Sequence, residues 1–470
     1  MKTRKLFLCI NNGRRWQMKI ALKLTCWIAV LVSFLDPELA IAKQLQLNTA
    51  LGYPTMLTGD SAQKTNYLRI AMTGFDIPAE KDRQPVNVAI VIDKSGSMQG
   101  EKITQARRAA IEAIARLRET DIVSIIAYDS EVSVVVPATR ASDREYIRSR
   151  ISGIQAGGDT ALFAGVSKGA AEVRKFLDEK RVNRVILLSD GLANVGPSTP
   201  GELEELGRSL IKEGISVSTM GLGLGYNEDL MTQLALASSG NHVFIENAEN
   251  LVQVFQNEFD DVLSVVAQQL QIKVKLAEGI RAVKVLNYPA EVSGQLISID
   301  VGQLYSNQLR YFVVEIEVPL RAAGQRTPIG DVTLDYINML TENHEQLASK
   351  LEVRFSSSQA EVDEAIEREV LSDCILQIAN ENNRRATRLR DLNQVEEARE
   401  VLHSNSDFLR TYGDRLASPA LVDLEAQNRK QAENLEGVNW NENRKLMRAM
   451  QIQSATQQSY QGDGSKIPKP

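Results

Sequence analysis

Between residues 86 and 266, short apolar runs alternate with stretches of helical period. Val86 to Ile92, Ile122 to Tyr128, Val182 to Leu188, Ile215 to Met220 and His242 to Ile245 read as strands. They are almost continuously apolar, as strands buried on both faces must be. Ile103, Ala106, Ala110, Ile114 and Leu117 mark one face of a helix, and further helices fit 142–153, 160–177, 200–214 and 227–238, with a closing helix at 248–266. Val132 to Val136 fits a hairpin partner at the sheet edge. Strands alternating with helices predict an α/β domain with a doubly wound, mainly parallel sheet covered on both faces.

Five oxygen-bearing residues stand near the ends of these strands. They are Asp93, Ser95 and Ser97 in Ile92-Asp93-Lys94-Ser95-Gly96-Ser97-Met98, Thr160 after Gly157-Gly158-Asp159, and Asp190 in Ser189-Asp190-Gly191. Ligands gather beyond the carboxyl ends of an open parallel sheet, so residues distant in sequence can converge there. Two carboxylates and three hydroxyls suit a hard divalent cation. Magnesium is the first choice, with calcium or manganese as alternatives, because few protein oxygens plus waters complete its octahedron.

In that order and spacing, these three motifs closely resemble a von Willebrand factor type A (VWA) domain, over a little under two fifths of the chain. Met220-Gly221-Leu222-Gly223 also fits that family. The resemblance implies a metal-ion-dependent adhesion site in which Ser95 and Ser97 bind the cation directly. Thr160 would bind directly or through water, and Asp93 and Asp190 largely through water or hydrogen bonds. It also implies that an open coordination position receives a partner's Asp or Glu carboxylate.

The flanks have a different character. Residues 43–85 contain a strand at Tyr67 to Met72 and a polar linker from Pro78 to Pro85. Residues 267–356 include the strictly alternating Leu270 to Leu276, with similar patterns in Tyr311 to Val318 and Gly330 to Tyr336, which suggests an antiparallel sandwich. The domain plan is similar to that of inter-alpha-trypsin inhibitor heavy chains. On that analogy 43–85 pairs with the later strands and the 86–266 domain is inserted between them. Residues 357–460 read as a helical region with few aromatics, and 461–470 as a disordered tail.

Lys19 and Lys23, the apolar run Leu24 to Leu35 and Ala40-Ile41-Ala42 match a cleaved signal peptide over 1–42, with either Met1 or Met18 as the start. Its removal takes away seven basic and two acidic residues and leaves 47 basic and 58 acidic, a net charge of −11. That balance argues against nucleic acid as the main partner. Cys374 alone of the three cysteines would remain, so no intrachain disulfide is expected. The protein would be periplasmic, cell-surface or secreted, and peripheral to a membrane at most. His242, His344 and His403 show no ligand spacing and read as surface or boundary residues.

Some motifs mislead. Gly165-Val166-Ser167-Lys168-Gly169 has the Gly-x-Ser-x-Gly pattern but falls inside a helix, where no nucleophile elbow forms. Gly221, Gly223 and Gly225 are misplaced for a dinucleotide loop. Arg384-Arg385 and Arg388 to Arg390 lie among acidic residues and read as a solvated helix face. The expectation is a non-enzymatic, metal-dependent protein-binding module. A constitutive assembly subunit with a structural metal is the alternative. A metal-assisted hydrolase is disfavoured, since the motifs supply metal-holding groups and no general base.

Overall fold

The computed structural model describes residues 44–59, 64–77, 83–437 and 440–458. The expected signal peptide, the tail and most of the 78–85 linker lie outside the described residues.

In chain order, β1 (Gln46–Leu51), β2 (Thr55–Leu57) and β3 (Thr65–Thr73) precede the α/β domain. That domain runs through β4 (Val86–Asp93), α1 (Glu101–Ala115), β5 (Ile122–Tyr128), β6 (Val132–Arg140), α2 (Arg144–Ser152), α3 (Leu162–Arg174), β7 (Val182–Ser189), α4 (Pro200–Lys212), β8 (Ser216–Leu222), α5 (Glu228–Ala237), β9 (His242–Ile245) and α6 (Leu251–Leu263). It is followed by β10 (Val265–Leu276), β11 (Arg281–Val285), β12 (Glu291–Ser293), β13 (Leu296–Tyr305), β14 (Leu309–Glu317), β15 (Arg326–Asn338) and β16 (Asn343–Ser356). Helices α7 (Gln359–Glu364), α8 (Arg368–Asp391), α9 (Val395–Leu416), α10 (Pro419–Glu433) and α11 (Trp440–Thr456) complete the described chain.

The central sheet has the order β6-β5-β4-β7-β8-β9, parallel except for the antiparallel edge strand β6. Every residue of β4, β5, β7 and β8 is buried, which explains their largely apolar character. The edge strand β6 is only partly buried and contains Pro137, which an edge tolerates. Local sequence fixes the helix starts. Thr199 and Glu202 form a capping box with Pro200 in the first turn of α4, and Asn227 caps α5.

Helix α3 approaches the sheet closely. A Cβ on Gly165 would lie 2.8 Å from the Tyr128 ring, and one on Gly169 would lie 2.6 Å from a Val91 methyl. The Gly-x-Ser-x-Gly pattern is therefore a packing feature, and Ser167 sits inside the helix.

Chain order reverses between β4 and β7, which makes their carboxyl ends the topological switch point. The flanking strands form two further sheets, ordered β1-β3-β14-β11 and β12-β13-β10-β15-β16-β2. Strand β3 pairs with β14, and β2 with β16, so the segment before the α/β domain joins strands that come after it. Leu68, Ile70, Phe312 and Val314 of one sheet meet Ile272, Val274, Val332 and Phe355 of the other in one apolar layer. Helix α8 covers the outer face of the smaller sheet, with Leu371, Cys374 and Ile375 against Ala71, Tyr311 and Val313. Helix α11 returns to the α/β domain, placing Ala449 in that core and Ile452 in the sandwich core.

Several expectations need correction. The helix expected at 160–177 is confined to Leu162–Arg174, which leaves Thr160 in the preceding loop. The closing helix ends at Leu263, because β10 begins at Val265 rather than beyond 266. His344 and His403 are exposed, but His242 is fully buried. Its ring bonds the Thr219 hydroxyl at 2.8 Å and the Tyr226 hydroxyl at 3.2 Å. Of the arginine patch, Arg385 and Arg388 are exposed and Arg384 is half-buried. Arg390 is also half-buried: it donates to the Leu435 carbonyl and stacks over Trp440.

Burial, reinforced by the charge of Lys445, pushes the His242 imidazole down to about 3. The unfolded chain, with an ordinary value near 6.5, binds that proton first, so stability is full above that pH and falls as the pH drops toward 3. The slope is about 1.4 kcal/mol per pH unit. Urea unfolding at pH 7 and pH 5 should show wild type losing about 2 kcal/mol more than His242→Gln. Equal losses would show that His242 does not carry this sensitivity.

Candidate metal centre

Asp93, Ser95, Ser97 and Asp190 lie at the carboxyl ends of β4 and β7 or just beyond them, and Thr160 lies in the loop between α2 and α3. Asp93, the last residue of β4, is fully buried. One carboxylate oxygen accepts the Ser95 amide at 2.8 Å, and the other accepts the Ser189 hydroxyl at 2.7 Å. The Tyr128 hydroxyl stands 3.4 Å from that second oxygen. The Ser95 and Ser97 hydroxyls are 3.0 Å apart, and Ser97 donates to Asp190 at 2.6 Å. Ser95, Thr160 and Asp190 are buried, whereas Ser97 is exposed at the mouth.

Gly191 shows how closely the hydroxyls converge. A Cβ there would lie 3.0 Å from Thr160 Oγ1, 3.4 Å from Ser97 Oγ and 3.7 Å from Ser95 Oγ. Any side chain at 191 would crowd the cradle, so the glycine of Ser189-Asp190-Gly191 keeps it open.

Three loops are interlocked around this point. The Gly157 amide donates to the Lys94 carbonyl at 2.7 Å, and the Gly96 amide to the Gly158 carbonyl at 2.9 Å. The Thr160 amide donates to Asn194 Oδ1 at 2.8 Å, which ties this loop to the one after β7. Lys94 and Asp129 form an ion pair that braces the outer edge.

Burial pushes the Asp93 carboxyl up, hydrogen bonds from Ser95 and Ser189 oppose that, and the charge of Asp190 adds to it. Two desolvated carboxylates in one site favour a cation between them. Lys102, in the first turn of α1, already places its ammonium against Asp190. Among the described residues no group of three or more His, Cys, Asp or Glu is placed to hold a metal. This centre has a different composition, with hydroxyls as three of its five donors, and such a set fits a hard, oxygen-seeking divalent ion.

Sequence reasoning missed Lys102, Asn194 and the role of Ser189 in orienting Asp93. Only Ser189 had a signal, as part of the Ser-Asp-Gly motif.

The von Willebrand factor type A domain profile matches residues 87–258. An uncharacterized protein of Synechocystis sp. is 27% identical over 54% of this chain and 62% of its own. The uncharacterized protein YfbK of Escherichia coli is 27% identical over 40% of this chain and 33% of its own. Inter-alpha-trypsin inhibitor heavy chain H3 of Homo sapiens is 32% identical over 33% of this chain and 18% of its own. The chain thus spans less than two thirds of the length of each of these relatives. Among solved structures, a von Willebrand factor type A protein from Catenulispora acidiphila superposes with a TM-score of 0.66 at 17% identity, covering 83% of this chain and 91% of its own. The ArnB paralog VWA2 from Sulfolobus acidocaldarius gives 0.60 at 18% identity, covering 87% and 99%. These two similarities establish the fold.

Proposed function

Since residues 87–258 form a von Willebrand factor type A domain, a fold that commonly serves protein interaction, we propose that the protein is a non-enzymatic, metal-dependent binding module working outside the cytoplasm. Asp93, Ser95, Ser97, Thr160 and Asp190 hold one divalent cation, magnesium by preference. The observation that carries this reading is the convergence of three hydroxyls around Gly191, beside two buried carboxylates.

Each residue has a separate task. Asp93 is held by Ser95 and Ser189, so its carboxylate cannot turn away from the site. Asp190 orients the Ser97 hydroxyl. Thr160 is positioned by Asn194 through its backbone amide. A bound cation, poorly neutralised by hydroxyl ligands, would supply a charge and an open position for a partner's Asp or Glu carboxylate. Ser97 stands exposed at the mouth, where such a carboxylate enters.

Export rests on the signal-peptide pattern of residues 1–42. No helix among the described residues is long and apolar enough to cross a membrane. Affinity capture from native envelope extract, with and without chelator, tests the function. Partner retention that is lost on chelation is expected. A complex that survives chelation would overturn the metal-bridged reading in favour of constitutive assembly.

Lys102 competes with a metal for Asp190. Lys102→Met should raise magnesium affinity by about two- to fivefold, the scale of a partly exposed ion pair. Calorimetric titration that finds weaker binding would instead make Lys102 a support of the centre. Calorimetric titration should show Thr160→Ala weakening the partner more than the metal, since the remaining four donors still hold the cation while its position for the incoming carboxylate is lost; a larger loss for the metal would contradict this.

A further inference from the structure

Helix α8 borders a groove of about 690 Å³ where three parts of the molecule meet. Glu204 and Arg208 of α4 form one wall, Lys284 and the chain leading from β11 to Tyr288 a second, and Arg384, Arg385 and Arg388 of α8 the third. The volume is that of a small-molecule site.

The charges around it are unevenly satisfied. Glu204 holds Arg208 at 2.6 Å, and Lys284 lies 2.8 Å from Glu381 and 3.9 Å from Glu315. Each of the groove's three acidic residues, Glu204, Glu315 and Glu381, is therefore paired with Arg208 or Lys284, the lysine being shared by two of them. The α8 arginines are not. Arg384 donates to the Asn287 carbonyl at 3.3 Å, and among the described residues no carboxylate lies within ion-pair distance of Arg384, Arg385 or Arg388. Arg69, Arg83, Arg184 and Arg444 each sit on a carboxylate, and the buried Arg310 is satisfied instead by the Val301 and Gln303 carbonyls and the Tyr288 hydroxyl.

Arg384 and Arg388 are four residues apart on one helix face, where like charges repel. Burial above all opposes the charge on Arg384, Arg448 and Arg388 add to that, and Glu381 and Glu204 act the other way. A ligand bearing negative charge would relieve that repulsion.

We propose that this groove is a binding site for a small soluble phosphate ester, held by Arg384, Arg385 and Arg388. Guanidinium forks match tetrahedral oxyanions in bidentate fashion, and three forks exceed what the two oxygens of one carboxylate engage. Asn287 and Asn382 line the same groove, but their amide nitrogens already donate to Gln377 and Asn405, so the arginines carry the anion. The remaining volume, beside Tyr67, Tyr288 and Pro289, accommodates an organic portion.

Pyrophosphate is the probe, titrated calorimetrically into the purified protein in metal-free buffer, so that the metal centre takes no part. Sodium chloride at matched ionic strength, citrate and phosphatidic-acid vesicles are the comparison arms. Pyrophosphate should bind with a Kd below about 1 mM, and Arg385→Ala/Arg388→Ala should weaken it at least tenfold. Both side chains are exposed, so the double variant should keep the wild-type circular dichroism spectrum. Binding no tighter than the chloride control, or equal in wild type and double variant, overturns the site. Citrate binding without pyrophosphate binding overturns the phosphate assignment, and capture by vesicles alone overturns the soluble source.

Discussion

Arg184→Ala should destabilise the protein by about 3–5 kcal/mol, the cost of breaking a buried ion pair from one side. Arg184 projects from β7 into the junction between the α/β domain and the sandwich and is fully buried. It donates to Ser218 at 2.9 Å, to Glu258 of α6 at 2.8 Å and to the Tyr305 hydroxyl of β13 at 2.8 Å, and it also reaches Gln303. Burial pushes the Glu258 carboxyl up, while Arg184 and Ser218 act to keep it ionised. Without Arg184 that carboxylate is stranded. Urea denaturation measures the loss, and a change under about 1 kcal/mol would contradict the account. Replacing both partners, as Arg184→Met with Glu258→Leu, should recover much of the loss, since an apolar pair leaves no stranded charge.

This network matters to function because Glu258 ties α6 to the sheet, while Gln303 and Tyr305 tie the same arginine to the sandwich. Helix α6 leads into β10 after a single residue. Under the proposed function, any movement of α6 that accompanies partner binding must strain these bonds. Coupling between linked sites is typically about 1–3 kcal/mol, within the range such a cluster can transmit.

The central sheet was readable because its parallel strands are buried and joined through helices of clear period. The candidate centre was readable because its residues fall in short motifs at strand ends. What escaped the sequence depends on contacts between distant segments. Arg184 interrupts Val182 to Leu188 without any local sign of its partners, which lie on β8, α6 and β13. His242 looked like a boundary residue because Thr219 and Tyr226, which satisfy its ring, sit in neighbouring elements. Lys445 lies in the charge-rich helical region 357–460, where nothing local marks it as buried. In the structure it is buried, donating to the Tyr226 carbonyl at 2.7 Å and to Glu228 at 2.6 Å, where α11 docks onto the α/β domain. The closing helix was read too long because Ser264, Val265 and Val266 carry no helix-stopping glycine or proline. Strand pairing of β10 with β13 and β15 ends it instead.

The central claim is that Asp93, Ser95, Ser97, Thr160 and Asp190 form one divalent-cation centre. Calorimetric titration of magnesium into wild type, Asp93→Ala and Ser95→Ala tests it most directly, with circular dichroism confirming that each variant is folded. Wild type should bind one magnesium ion. Asp93→Ala should weaken binding by about 10- to 100-fold, as when a group that orients metal ligands is removed, and Ser95→Ala, which deletes a ligand, by at least as much. Equal magnesium affinity in all three proteins would contradict the account.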